Sequence, residues 1–100
     1  MKISAQQTCI RKNRYEISLH AQKERYEEEI SIEDIERVIL NGEIIEDYPE
    51  DPRGHSCLVM GCSNNKYIHI VCALLPNEWI RIITVYIPKT QKWINPRKRR

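Results

Sequence analysis

The 100-residue chain predicts an α+β domain in which N-terminal helices pack on a curved antiparallel sheet of about four strands. Three observations predict it. Apolar residues in the first half recur at helical spacing, those in the second half alternate, and short polar turns join sequential strand-like runs. Short connections favour an antiparallel meander, and a half-apolar sheet needs a covering layer, which the helices supply.

Ile3 to Lys12 reads as a short helix, weakened by Gln6, Gln7 and Thr8. After the polar stretch from Arg11 to Arg14, Ser18 can cap a second helix from Leu19 to about Glu29. Leu19, Ala21, Tyr26 and Ile30 would supply its inner edge. Ser31 opens a third helix with Asp34 three residues on, the reciprocal arrangement of a capping box. Ile32, Ile35, Val38 and Ile39 form one apolar stripe along it, and Asn41-Gly42 ends it, with glycine suited to a left-handed position. Glu43 to Tyr48 is a first strand, broken by Pro49, Pro52 and Gly54. Ser56 to Cys62 is apolar and turns at Ser63-Asn64-Asn65-Lys66. In Tyr67 to Leu74, Ile68, Ile70, Cys72 and Leu74 point one way, and Tyr67, His69, Val71 and Ala73 the other. After Leu75-Pro76-Asn77-Glu78 the chain returns as a β-branched strand from Ile80 to Ile87. Ile35, Ile39, Ile70, Ile82 and Val85 are the expected core, which must do without phenylalanine.

The length admits one domain, expected over residues 1–95 with a basic tail over 96–100. Hydrophobic residues at 41% and charged residues at 30% argue against wholesale disorder. No apolar run approaches the ~18–20 residues of a membrane helix, and Met1 to Gln7 lacks a signal-peptide core, so a soluble cytoplasmic protein is expected. The net charge of +2 conceals segregation: residues 1–22 carry +3, residues 23–53 carry −8 and residues 54–100 carry +7. The basic second half suits a polyanion, although acidic helices packed on a basic sheet would give the same pattern.

Cys9, Cys57, Cys62 and Cys72 form no CxxC and no spacing typical of zinc sites. Cys62 and Cys72 lie in apolar runs and read as small buried hydrophobes, so neither metal nor cofactor is expected; the lesser alternatives are a disulfide or a metal site among His55, Cys57, Cys62, His69 and Cys72. No phosphate-binding glycine loop, HExxH or GxSxG is present. Glu24, Glu27, Glu28, Glu33 and Glu36 spread round two helices as solvated faces do. More informative are His20 in the first turn of the second helix, His69 inside an apolar strand, and Tyr86 near the end of the last one. Each imidazole can act as acid or base near neutrality or simply make a structural hydrogen bond. Arg25 lies five residues from His20, a net ~140° round the helix, so the two share no narrow face but could flank a cleft. Trp79, Tyr67 and Trp93 can stack on bases or lid the core.

The run Tyr15-Glu-Ile-Ser-Leu-His20-Ala-Gln-Lys-Glu-Arg25 with Ile30-Ser31-Ile-Glu-Asp-Ile35 resembles the "S-x-H-A-x-x-R … I-S-x-E-D-I" signature of the bacterial and archaeal domain of unknown function 4258. The likeness continues through Asn41 to Glu46, Tyr48 to Asp51, Arg53 to Gly61, His69 to Ala73, Ile83 to Tyr86, Pro88 and Trp93, and so covers about residues 13–95. It implies a helix–sheet fold like the RelE, BrnT and MqsR toxins of toxin–antitoxin pairs, some encoded beside a zinc-finger antitoxin. One departure is Glu28-Glu29, where relatives carry Arg-Gly, so the second helix is expected to run on or end less sharply.

The resemblance implies a toxin that cuts mRNA without a metal, whether free or on the ribosome. Such cleavage needs a base for the 2′-hydroxyl, an acid for the leaving 5′-oxygen and cations for the phosphorane charge. His20, Arg25, His69 and Tyr86 are the catalytic candidates, and Arg81, Lys89, Lys92 and Arg97 the RNA-binding ones. The expected partners are RNA and an antitoxin protein. The other reading is a module of the same fold that binds RNA or protein without cutting. Convergence of the four catalytic candidates in one cleft would favour the enzyme, and dispersal the module.

Overall fold

The computed structural model describes residues 2–89 and 93–99. In chain order they form α1 (Ile3–Arg11), β1 (Tyr15–Ile17), α2 (Leu19–Glu27), α3 (Ile32–Asn41), β2 (Glu43–Tyr48), β3 (Ser56–Ser63), β4 (Lys66–Leu75), β5 (Trp79–Tyr86), β6 (Trp93–Asn95) and β7 (Lys98–Arg99). The class is α+β, as expected, but the main sheet has five strands in the order β1-β5-β4-β3-β2 and is mixed. Strands β2 to β5 make the antiparallel meander. The addition is β1, which runs parallel to β5 with Tyr15 opposite Ile80 and Ile17 opposite Ile82. Three residues whose partner lies some 65 positions away leave no local signature, which is why the sequence pattern assigns Tyr15 to Ile17 to no element.

One core joins helices and sheet: Cys9 and Ile10 of α1, Ala21 of α2, Ile35, Val38 and Ile39 of α3, and Val59, Ile68, Ile70, Cys72, Ile80, Ile82 and Val85 of the strands. All five expected core residues are fully buried. The capping box of α3 forms as predicted, the Ser31 hydroxyl accepting from the Asp34 amide and the Asp34 carboxylate from the Ser31 amide, both at 2.9 Å. That same carboxylate accepts from the Ser63 hydroxyl at 2.6 Å and the Asn64 side chain at 2.9 Å, so it also fixes the β3–β4 turn to the helix. Burial would raise its pKa, but the hydrogen bonds from Ser63 and Ser31 and the nearby Arg37 outweigh it and hold it low.

Four expectations need correction. Leu19 and Tyr26 are 90% and 83% exposed, so the inner edge of α2 is Ala21, with Ile30 beyond its end. Nine residues tied to the sheet by Ser18 need only that small side to approach β5. Gly42 is extended rather than left-handed; a Cβ there would meet the Val38 carbonyl oxygen at 2.3 Å and that of Met60 at 2.7 Å, so close approach is its reason for being glycine. Cys62 is exposed at the end of β3, while Cys72 is buried as read. Finally, α2 ends sharply despite lacking glycine. Glu29 itself takes the left-handed conformation at φ 56°, and the Ile30 amide reaches back to the Arg25 carbonyl at 2.7 Å.

The terminal basic run is, over its described residues, one arm of a short hairpin. Lys98–Arg99 pairs with Trp93–Asn95, while Arg97 and Arg99 reach Glu43 and Glu46 of β2. Among the described residues no helix is long and apolar enough to cross a membrane.

Candidate functional site

The sheet face away from the core is built by strand register. His69 lies between Met60 and Tyr86, Val71 between Leu58 and Thr84, and Ala73 between Ser56 and Arg81. Alternation makes this face the necessary counterpart of Ile68, Ile70 and Cys72, which point into the core. A shift of register after Val71 leaves Ile83 as an extra residue on β5, and beside it α2 closes the strand edge that β1 leaves. Ser18 makes that junction. Its amide donates to the Ile82 carbonyl at 2.9 Å, and its hydroxyl donates to that of Ile83 at 3.0 Å while accepting the Ala21 amide.

Capping by Ser18 puts His20 in the first turn of α2, over the β5 edge. Its Nε2 lies 3.3 Å from Glu24 Oε1, and that same oxygen accepts the Val85 amide at 3.1 Å. The carboxylate is therefore fixed to the sheet and holds one ring nitrogen. His20 remains largely exposed and lines a cleft of about 330 Å³ with Ser18, Arg53, Arg81, Ile83 and Thr84. Both arginines are braced by carboxylates. Arg53 meets Asp51 through Nε at 3.0 Å and Nη2 at 2.8 Å, and Arg81 meets Glu16 through Nε at 2.5 Å. Arg53 holds the Asp51 carboxyl far below the usual carboxylate range. Such bracing spends part of each fork and leaves further N–H groups on two side chains that line the cleft.

Two residues past Thr84 on the same face, Tyr86 meets His69 with ring centroids 5.2 Å apart, edge to face. His69 is fully buried. Its Nε2 lies 2.5 Å from the Pro96 carbonyl oxygen, which can only accept, so Nε2 carries the proton; Nδ1 then accepts from the Tyr86 hydroxyl at 3.2 Å. Burial pushes the His69 pKa down, with the Pro96 contact opposing, so the ring is held neutral. Beside it Glu46 accepts both forks of Arg99, at 3.0 and 3.2 Å, and the Tyr48 hydroxyl. Arg99 keeps Glu46 ionised below its ordinary pKa, while burial and that carboxylate raise Tyr48 to about 12.

The four catalytic candidates are thus partly gathered. His69 and Tyr86 touch, and His20 stands on the adjoining cleft. Arg25 stands apart: its Nε donates to Gln22 at 2.6 Å and its Nη1 to the Ile30 carbonyl at 3.4 Å, securing the end of α2. Of the RNA-binding candidates, Arg81 lines the cleft, Arg97 is on Glu43, and Lys89 is exposed just beyond β5. Lys92 lies outside the described residues. Sequence reasoning missed Arg53, Thr84 and Glu24. The i, i+4 spacing of His20 and Glu24 was a usable signal, whereas nothing local joins Arg53 to Arg81. Among the described residues no three His, Cys, Asp or Glu side chains gather to hold a metal ion.

The family model described as Domain of unknown function (DUF4258) matches residues 17–87, which span the cleft, the His69–Tyr86 pair and the strands that carry them. No curated protein and no solved structure matches the chain significantly.

Proposed function

The chain belongs to the domain-of-unknown-function 4258 family, and from that premise we propose that it is a metal-independent RNA endonuclease, the toxin of a toxin–antitoxin pair with a RelE-like architecture. The observation that carries the reading is the cleft. It offers an imidazole backed by an anchored carboxylate, two braced guanidiniums and two hydroxyls within one small space. In the proposed reaction His20 removes the 2′-hydroxyl proton, the unpaired N–H groups of Arg81 and Arg53 take the charge that builds on phosphorus, and Tyr86, its hydroxyl turned from His69 Nδ1 to the substrate, protonates the leaving 5′-oxygen. Lys89, Lys92 and Arg97 would gather the phosphate backbone. An antitoxin, of the zinc-finger kind, would oppose the activity by covering this face.

Binding without cleavage is the second reading. It is favoured by the ion pairs that already engage Arg53 and Arg81 and by the sealing of His69 under Pro96. Inducing the gene in a bacterial host separates the two. The enzyme reading expects growth arrest with loss of bulk mRNA, both abolished by His20→Ala. Arrest that persists in His20→Ala with mRNA intact would establish the binding module instead.

A further inference from the structure

The largest of the described cavities lies outside the cleft, at the end of the sheet where α1 meets the β4–β5 turn. It holds about 390 Å³, within the range of small-molecule sites. Its walls are mainly apolar, from Ala5, Leu74, Leu75 and the ring of Trp79, and Lys12 and Arg14 stand at it. Trp79 is 39% exposed, so part of its surface is open to a ligand. The turn before it is unusually fixed. Asn77 and Glu78 are both left-handed, at φ 66° and 61°, and the Glu78 carbonyl accepts the Cys9 thiol at 3.2 Å. Arg14 reaches the highly exposed Glu78 carboxylate at 3.3 Å.

Strand alternation puts Trp79 on the same face of β5 as Arg81, two residues or ~7 Å along. That step is comparable to one nucleotide of an extended single strand. An aromatic platform beside a phosphate-binding arginine, with further cations beyond it, is the recurring construction of single-strand RNA sites, because every base offers a face to stack and every linkage a negative charge.

We propose that this cavity is a nucleobase subsite: a base of single-stranded RNA stacks on Trp79 while one flanking phosphate meets Arg81 and the other meets Lys12 and Arg14. The subsite deepens the function proposed above and rests on it for the identity of the polymer. Charge favours a polyanion over a neutral or basic peptide, since residues 1–22 carry +3, and the Trp79 platform favours RNA over an acidic peptide, which has no base to stack.

The test uses the full chain with Trp93→Phe, so that Trp79 is the sole tryptophan, and a 2′-O-methylated oligonucleotide that can bind but cannot be cut. The expected result is saturable quenching of Trp79 fluorescence, much weaker with an oligonucleotide of the same length that lacks its bases. In wild type, Trp79→Ala should weaken binding, followed by fluorescence polarisation, by about 5- to 150-fold, the usual worth of one stacked base. Trp79→Phe should restore most of it. Ala5→Leu, which fills the cavity from the exposed side of α1, should weaken binding while leaving Trp79 in place. Binding without quenching, or equal quenching by the abasic strand, would overturn the subsite and leave the cleft reading standing. Quenching with no cleavage of ordinary RNA would leave the subsite standing and overturn the nuclease. Absence of binding to any oligonucleotide would overturn both.

Discussion

His69 shows how a single polar residue can be placed by an apolar neighbourhood. Its strand position fixes it on the face opposite Ile70, and Tyr86 and Pro96 engage both ring nitrogens. Because burial depresses its pKa, the folded chain resists protonating it while the unfolded chain, titrating near 6.5, does not. The unfolded state therefore binds more protons as the pH drops. The contribution of His69 is complete above about pH 6.5 and declines below it, levelling once the folded form also protonates. Urea midpoints from pH 8 to 5 should fall in the wild type, and the fall should be shallower in His69→Gln. Equal slopes would show that His69 is not held neutral. Across the same strand, Ile70→Ala removes a fully buried side chain from the centre of the sheet and should cost ~2–5 kcal/mol in urea denaturation. A loss below about half a kcal/mol would mean the strand faces are reversed.

At the scale of elements, the end of α2 makes the sharpest prediction. Glu29 occupies a left-handed position that costs an L-residue roughly 1–2 kcal/mol, so Glu29→Gly should stabilise the protein by about 1 kcal/mol once the entropy of glycine is set against the relief. A destabilised variant would mean that the glutamate side chain contributes more than its backbone costs. This helix also shows what local pattern could reveal and what it could not. The capping box of Ser31 and Asp34, the cap at Ser18 and the alternation in β4 were legible because each depends on residues within a few positions. The inner edge of α2 was misread because an i, i+7 pair of large apolar residues satisfies helical spacing whether it faces the core or solvent, and only the approach of β5 decides. The parallel pairing of β1 and the meeting of Arg53 with Arg81 are contacts between distant segments. Of the site, His20, His69, Tyr86 and Arg81 were readable as chemistry in ordered surroundings. Arg53 and Thr84 became visible only once the sheet had a face.

In the whole molecule, the segregated charge serves two ends. Part of it is spent internally: Glu43 meets Arg97 and Glu46 meets Arg99, so the acidic middle of the chain positions cations of the basic half, and Glu16 of β1 does the same for Arg81. Exposed pairs of this kind contribute little stability, but they fix where the arginines stand. If those cations serve RNA, affinity should fall steeply as salt rises from 50 to 200 mM, by a slope that Arg81→Ala makes shallower by about one phosphate contact. The most direct test of the central proposal is incubation of the purified protein with a single-stranded RNA in excess EDTA. The account predicts cleavage leaving 2′,3′-cyclic phosphate ends, none on a 2′-O-methylated strand, and at least a hundredfold loss in His20→Ala. Cleavage that EDTA abolishes, or that His20→Ala leaves unchanged, would contradict it.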